Sequence, residues 1–249
     1  MPATASKTCP MLRWLYPITC EICGEPAERS LCPSCLAKLE RVPRPICLYC
    51  GASLQQTPES TDRCEFCQGQ PRPFAVARSA FIQTERTMEL VYRLKYHRAP
   101  YLADGLAPAM AELWQTTAAL QAFSQGALIP VPVTRSHLCR RGYNQAEELA
   151  RAVGKLLSLP VINALQRHEN DHDSQTRLSS RQRLLNAYDS FTAAPAFLSG
   201  KRRLPEYPVL IDDVFTTGAT ARACCRALLG VPGVRDVAVV TLMRAVHRK

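Results

Sequence analysis

Val209-Leu210-Ile211-Asp212-Asp213-Val214-Phe215-Thr216-Thr217-Gly218-Ala219-Thr220 changes character twice over a short span. An apolar run of strand type ends in two adjacent carboxylates. A Thr/Gly loop follows, and an Ala-rich helical pattern runs from Ala219 to Leu229. Backbone N–H groups at a helix N-terminus point at an anion, and the helix dipole favours it. Thr216, Thr217 and Thr220 add hydroxyl donors. Asp212 and Asp213 repel a phosphate, so they suit sugar hydroxyls or a Mg²⁺ that travels with the ligand. The plainer alternative is a buried strand leading into a helix capped by Asp213 or Thr217. It leaves two acids at the end of a buried strand with no ligand to offset their desolvation.

On these residues the chain resembles the type I phosphoribosyltransferases, whose loop at this point binds phosphoribosyl pyrophosphate (PRPP). The resemblance implies that Asp212 and Asp213 hold the ribose 2′- and 3′-hydroxyls. It implies that Thr216, Thr217, Gly218, Ala219 and Thr220 hold the 5′-phosphate, with Mg²⁺ accompanying PRPP.

Working outward, strands alternate with helices, which argues a parallel α/β sheet with its site at the carboxyl edge. Ala75 to Gln83 reads as a strand. Thr84 to Tyr96 reads as an amphipathic helix with Met88, Val91, Tyr92 and Leu94 to Tyr96 on or near its buried face. Lys95-Tyr96-His97-Arg98 closes it, either as cations complementing the helix C-terminus or as groups facing a substrate anion. Leu102 to Leu120 is a second helix. Ala127 to Val133 is a strand whose two prolines suggest a sheet edge or a special turn. Thr134 and Arg135 follow, and by the same resemblance they face pyrophosphate. Arg140-Arg141-Gly142-Tyr143-Asn144-Gln145 opens a helix running to Leu157. Arg140, Arg141 and Tyr143 are candidates for phosphate or nucleic acid, with a solvated cap at Asn144 as the alternative. Residues 166–186 are polar and lack apolar periodicity, so they read as a lid or a surface loop. Val234 to Leu242 is the last buried strand.

Four CxxC pairs lie within residues 20–67: Cys20/Cys23, Cys32/Cys35, Cys47/Cys50 and Cys64/Cys67. Tetrahedral zinc needs two such knuckles. Two sequential sites are expected, Cys20, Cys23, Cys32, Cys35 and then Cys47, Cys50, Cys64, Cys67; an interleaved arrangement would use the same ligands. Filled by thiolates, both sites are structural, because no coordination position is left open. Cys9, Cys139, Cys224 and Cys225 lack metal-site spacing.

A narrower resemblance now appears. Val131-Pro132-Val133, then Arg141-Gly142-Tyr143-Asn144-Gln145-Ala146-Glu147-Glu148-Leu149-Ala150, is similar to the ComF/ComFC competence-protein family and the related GntX-type proteins. That family carries cysteine zinc knuckles ahead of a phosphoribosyltransferase domain. Gln175, Leu178, Arg183 and Asn186 match its Q-x₂-L-x₄-R-x₂-N pattern. The resemblance implies a lead-in over 1–19, a double zinc ribbon over 20–73 and a type I phosphoribosyltransferase-like domain over 74–249. It also implies a role in DNA uptake and natural transformation, with single-stranded DNA and uptake or helicase proteins as partners. If the chain is an enzyme, a nucleophile displaces pyrophosphate at ribose C1′, with Arg135 and the lid's Arg183 stabilising the departing charge. The alternative is a non-enzymatic DNA binder or PRPP sensor that keeps the site.

Composition agrees with an anionic partner. The chain has 249 residues, 47% of them hydrophobic, and a net charge of +10. Residues 1–73 hold 8 of the 31 basic and 7 of the 21 acidic residues, so nearly all the positive excess accompanies the phosphate loop. The sequence lacks a signal-peptide pattern and an apolar run long enough to span a membrane, so a cytoplasmic protein is expected. In a reducing compartment, abundant cysteine means metal rather than disulfides. The loop Val214-Phe215-Thr216-Thr217 has no third carboxylate of the kind that serves an oxopurine acceptor in relatives. The start Met1-Pro2 and the zinc knuckles argue against glutamine-dependent activity.

Overall fold

The computed structural model describes residues 17–54, 62–68, 73–168 and 190–246. Cys9 and most of the expected lid, including Gln175, Leu178, Arg183 and Asn186, lie outside these residues. So does residue 72, beside the expected domain boundary.

The chain is an α/β structure. After a short helix α1 (Pro33–Ala37) in the cysteine-rich segment come β1 (Val76–Ile82), α2 (Glu85–Tyr96) and α3 (Leu102–Thr116). Then come β2 (Leu128–Pro130), α4 (Arg135–Arg141) and α5 (Gln145–Leu157). A hairpin-like pair, β3 (Leu165–Arg167) and β4 (Phe191–Ala193), precedes α6 (Pro195–Leu198). The chain closes with β5 (Val209–Phe215), α7 (Ala219–Leu229) and β6 (Ala238–Arg244). Four strands form one parallel sheet in the order β1-β6-β5-β2, and β3 pairs antiparallel with β4. Such a sheet is covered on both faces, so its strands are apolar almost without interruption. All of β6 is buried, and β5 is buried up to its acids. β2 lies at the sheet's edge, where Pro130 does no harm to the ladder.

Local signals set the element ends. Thr84 and Thr87 form a reciprocal capping box at the start of α2. Asn144 caps α5 by accepting from the Ala146 N–H. The expected helix beyond Leu102 stops at Thr116, and Ala118–Phe123 is a 3-10 turn. Residues 166–167, expected in the polar lid, belong to β3.

The expected buried face of α2 is partly wrong. Thr87, Leu90, Val91 and Leu94 face the core, whereas Met88, Tyr92 and Tyr96 are exposed. The apolar stripe is one helix edge over from the aromatic one.

Two apolar cores lie on the two faces of the sheet. One joins Val209, Ile211, Ala238 and Val240 to α2, α3 and α5. The other joins Leu210, Val239 and Cys224 of α7 to Phe215, Phe74 and the cysteines Cys47, Cys50 and Cys67. The cysteine-rich segment is therefore built into the sheet domain. Its first half docks on α3, where Gly105 leaves no room for a side chain. A Cβ there would stand 2.6 Å from the Leu31 nitrogen. Ion pairs Arg29–Asp104 and Arg93–Glu21 flank that contact. Its second half docks on β1, where the Ala77 N–H donates to the Tyr49 carbonyl at 2.6 Å.

Candidate functional site

β5 delivers Asp212 and Asp213 to the carboxyl end of the sheet between β6 and β2. Side chains alternate along a strand, so the adjacent acids point to opposite faces. Asp213 is buried on the α2 side, where the Lys95 ammonium sits 2.7 Å from its Oδ2 as an ion pair. Asp212 faces α7, half-buried, and its Oδ1 accepts from the Asp213 N–H at 2.8 Å. Desolvation by burial, and next the Asp213 charge, push the Asp212 carboxyl well above the usual carboxylate range.

The loop then turns sharply. Thr216 and Thr217 are exposed, and the Thr217 hydroxyl oxygen lies 3.4 Å from the Ala219 N–H. Gly218 is the N-cap of α7 at φ +79°, with no side chain to occupy the first-turn N–H groups. That conformation strains any residue with a Cβ. Ala219 and Thr220 form the half-buried first turn. The neighbouring edge strand ends beside this loop, since the Val131 N–H donates to the Ile211 carbonyl at 2.9 Å. The residues that follow it, Thr134 and Arg135, lie on the same edge of the sheet. Thr134 is buried as the N-cap of α4, its hydroxyl accepting from the His137 N–H at 3.3 Å, while Arg135 is exposed. The carboxylates of Asp212 and Asp213 suit hydroxyl donors, and the Thr216 and Thr217 hydroxyls with the helix start suit a phosphate.

The basic candidates separate. Arg140 is exposed. Arg141 lies over the Tyr96 ring at 4.8 Å and donates to Gln145 at 2.8 Å. Tyr143 is half-buried and its hydroxyl donates to the Leu94 carbonyl. That geometry does not offer Tyr143 as a free stacking platform. Exposed rings on α2 are instead those of Tyr92 and Tyr96, 4.9 Å apart, with His97 5.2 Å from Tyr92. The amphipathic pattern puts both tyrosines on or near the buried face of α2, and the structure exposes them. The signal was present: the basic run Lys95 to Arg98 makes that edge of the helix wet.

The cysteines form two sequential clusters, Cys20, Cys23, Cys32, Cys35 and Cys47, Cys50, Cys64, Cys67, with all sulfurs of each within 4.8 Å of one another. The interleaved alternative is thereby excluded. The Cys23–Cys32 and Cys50–Cys64 sulfurs stand 3.9 and 3.4 Å apart. A tetrahedral ion with zinc–sulfur bonds of about 2.3 Å puts its ligands about 3.8 Å apart, so the donor set fits. Hydrogen bonding from Cys50, helped by the N–H groups of Cys50, Cys64 and Tyr49, brings the Cys47 thiol down to about 4. At Cys20 burial acts upward, but the N–H groups of Cys32, Cys23 and Ile22 outweigh it and bring the thiol down to about 6. Cys224 and Cys225 are buried in α7, and burial raises both thiols well above their usual range. Cys139 is exposed and apart from both clusters.

Comparisons with known proteins bear on both halves. Residues 11–68 match the family model "Double zinc ribbon domain". The chain is 28% identical to "Competence protein F" of Haemophilus influenzae over 88% of its own length and 92% of that protein's. It is 23% identical to "Competence protein ComFC" of Bacillus subtilis, covering 88% and 85% of the two chains. It is 23% identical to "DNA utilization protein YhgH" of Escherichia coli K12, covering 86% and 91%. Among the described residues, no helix is long and apolar enough to cross a membrane. The chain is a homologue of the competence protein F and ComFC proteins, an α/β sheet protein carrying a double zinc ribbon at its N-terminal side.

Proposed function

We propose that this protein binds PRPP with Mg²⁺ at the end of β5 and acts in DNA uptake and use. One observation carries the reading: adjacent acids stand two residues before the end of a strand inside a parallel sheet, and a short loop then leads through a positive-φ glycine into a helix whose N-cap residue has no side chain. The helix start takes the 5′-phosphate, and the carboxylates take the ribose hydroxyls and the metal that accompanies PRPP. Burial and the Asp213 charge raise the Asp212 carboxyl, and an arriving cation would act in the opposite direction. Thr134 is committed to capping α4, so in this reading it fixes the loop and Arg135 meets pyrophosphate.

If the site turns over, an acceptor nucleophile forms a bond to C1′. The C1′–O bond breaks, and pyrophosphate leaves with the electron pair, its charge met by Arg135 and, from the 166–186 segment, by Arg183. The experiment is a calorimetric titration of PRPP in Mg²⁺ buffer, followed by pyrophosphate release with a panel of acceptors. Binding that is unchanged in Asp212→Asn/Asp213→Asn would remove the site assignment.

A second reading, direct binding of single-stranded DNA, is favoured by the exposed Tyr92–Tyr96 pair, with Arg141 against the Tyr96 ring and Arg98 two residues beyond it in the chain. Bases stack on such rings while cations follow the phosphates. Tyr92→Ala/Tyr96→Ala should weaken binding of an oligonucleotide at least tenfold, and affinity should fall as salt rises. A flat salt response would dismiss it.

A further inference from the structure

Arg244 ends β6 and is buried, with 5% of its surface exposed. A guanidinium in a core must find partners for its donors. It finds them in the second zinc ribbon. One Nη donates to the Cys50 carbonyl at 2.9 Å, and the other lies 3.6 Å from the Cys50 sulfur. Its flat face covers the Phe215 ring at 4.4 Å. Phe215 is the cross-strand partner of Arg244 and is itself buried. Its ring is the floor beneath Gly218, where a Cβ would stand 2.6 Å from the ring's Cζ. One buried cation thus touches a ligand of the second metal cluster on one side and the support of the phosphate loop on the other.

The chemistry sets the direction of coupling. Zinc held by four thiolates carries a net charge of about −2. An N–H group aimed at a ligating sulfur offsets part of that charge and fixes the ligand. A short ribbon folds around its metal, so losing the metal removes the Cys50 carbonyl and sulfur from Arg244 together. The guanidinium then turns toward water, Phe215 loses its cover, and Gly218 loses its floor. The first cluster meets the body elsewhere, through the Glu21–Arg93 and Arg29–Asp104 pairs, so the two metals are not equivalent toward the loop.

We infer that Arg244 is a positioning residue that couples the second zinc centre to the phosphate loop. Zinc at Cys47, Cys50, Cys64 and Cys67 tightens the hold on a sugar 5′-phosphate. Linkage requires the converse, that the bound sugar phosphate tightens the hold on that zinc, and slower release of the ion is its readout here. The inference rests on the PRPP reading of the loop.

The test uses the full zinc-loaded chain. Zinc release to a coloured zinc-selective chelator is followed with and without saturating PRPP in excess Mg²⁺, and PRPP binding is measured separately by calorimetry. One of two zinc equivalents should leave about fivefold more slowly or better with PRPP, and the other should not respond. Arg244→Met should weaken PRPP binding and abolish the slowing. Should that variant fail to hold two zinc ions, Phe215→Leu keeps the Cys50 contacts while removing the ring, and it too should abolish the slowing. PRPP binding with both zinc equivalents leaving at unchanged rates overturns the coupling alone. Slowing that survives in Phe215→Leu also overturns it. Absence of PRPP binding overturns the loop reading and the coupling together.

Discussion

Replacing Lys95 by Met tests how the acids at the end of β5 are held. The Lys95 ammonium is 2.7 Å from Asp213, with side chains 22% and 6% exposed. Removing one partner of a buried pair leaves an uncompensated charge and costs about 3–5 kcal/mol. Lys95 is the more open end, so water reaches part of the gap and the lower figure, about 3 kcal/mol, is expected. For a chain of this length each kcal/mol moves the melting temperature by about 2–4 °C, so Lys95→Met should melt about 6–12 °C lower. The converse change, Asp213→Asn, strands only a lysine whose stem can carry its ammonium to water, and should cost about 1 kcal/mol or less. The double variant should recover about 2 kcal/mol of the Lys95→Met loss. The assay is a double-mutant cycle by thermal and urea unfolding, in zinc-replete reducing buffer. Equal costs for the two single variants, or a Lys95→Met cost below about 0.5 kcal/mol, would refute the burial asymmetry on which the reasoning stands.

Asp212→Asn should have the opposite sign. Burial and the Asp213 charge raise the folded-state carboxyl above its unfolded value, so its contribution is fully present below the unfolded value and is lost as pH rises through the folded one. The amide escapes that loss. The variant should therefore gain about 1 kcal/mol at neutral pH, a gain that shrinks on acidification, while PRPP binding falls; urea midpoints across a pH series read it. Metal analysis should find two zinc ions per chain, and stripping them should expose the segment from Cys20 to Cys67 to proteolysis; near-zero zinc would sink the cluster assignment. Gly218→Ala forces a Cβ against Phe215 at φ +79° and should cost about 1–3 kcal/mol and weaken PRPP at least tenfold, read by melting and calorimetry.

What the sequence made legible was local. CxxC spacing located both metal clusters, and the apolar run, two acids and small-residue loop located β5 and α7, because ligand spacing and helix caps act over a few residues. Strand periodicity also held the fact that Asp212 and Asp213 face opposite sides, since alternation is a property of the chain alone. Helical periodicity was weaker at α2. It marked a stripe but could not say whether Leu90 and Leu94 or the tyrosines beside them met the core, because tyrosine suits either place. The remaining misses share one cause. Lys95 answers Asp213, Tyr143 answers the Leu94 carbonyl and Arg244 answers Cys50, each across a long stretch of chain. A charge or hydroxyl that folding buries must find a partner, and which partner depends on where the sheet and the ribbon meet. Residue type announces the need, and only the assembled fold supplies the address. Arg244 is the plainest case: it lies two residues past the strand expected over Val234 to Leu242, and it ends β6 buried because its guanidinium meets the second ribbon at Cys50.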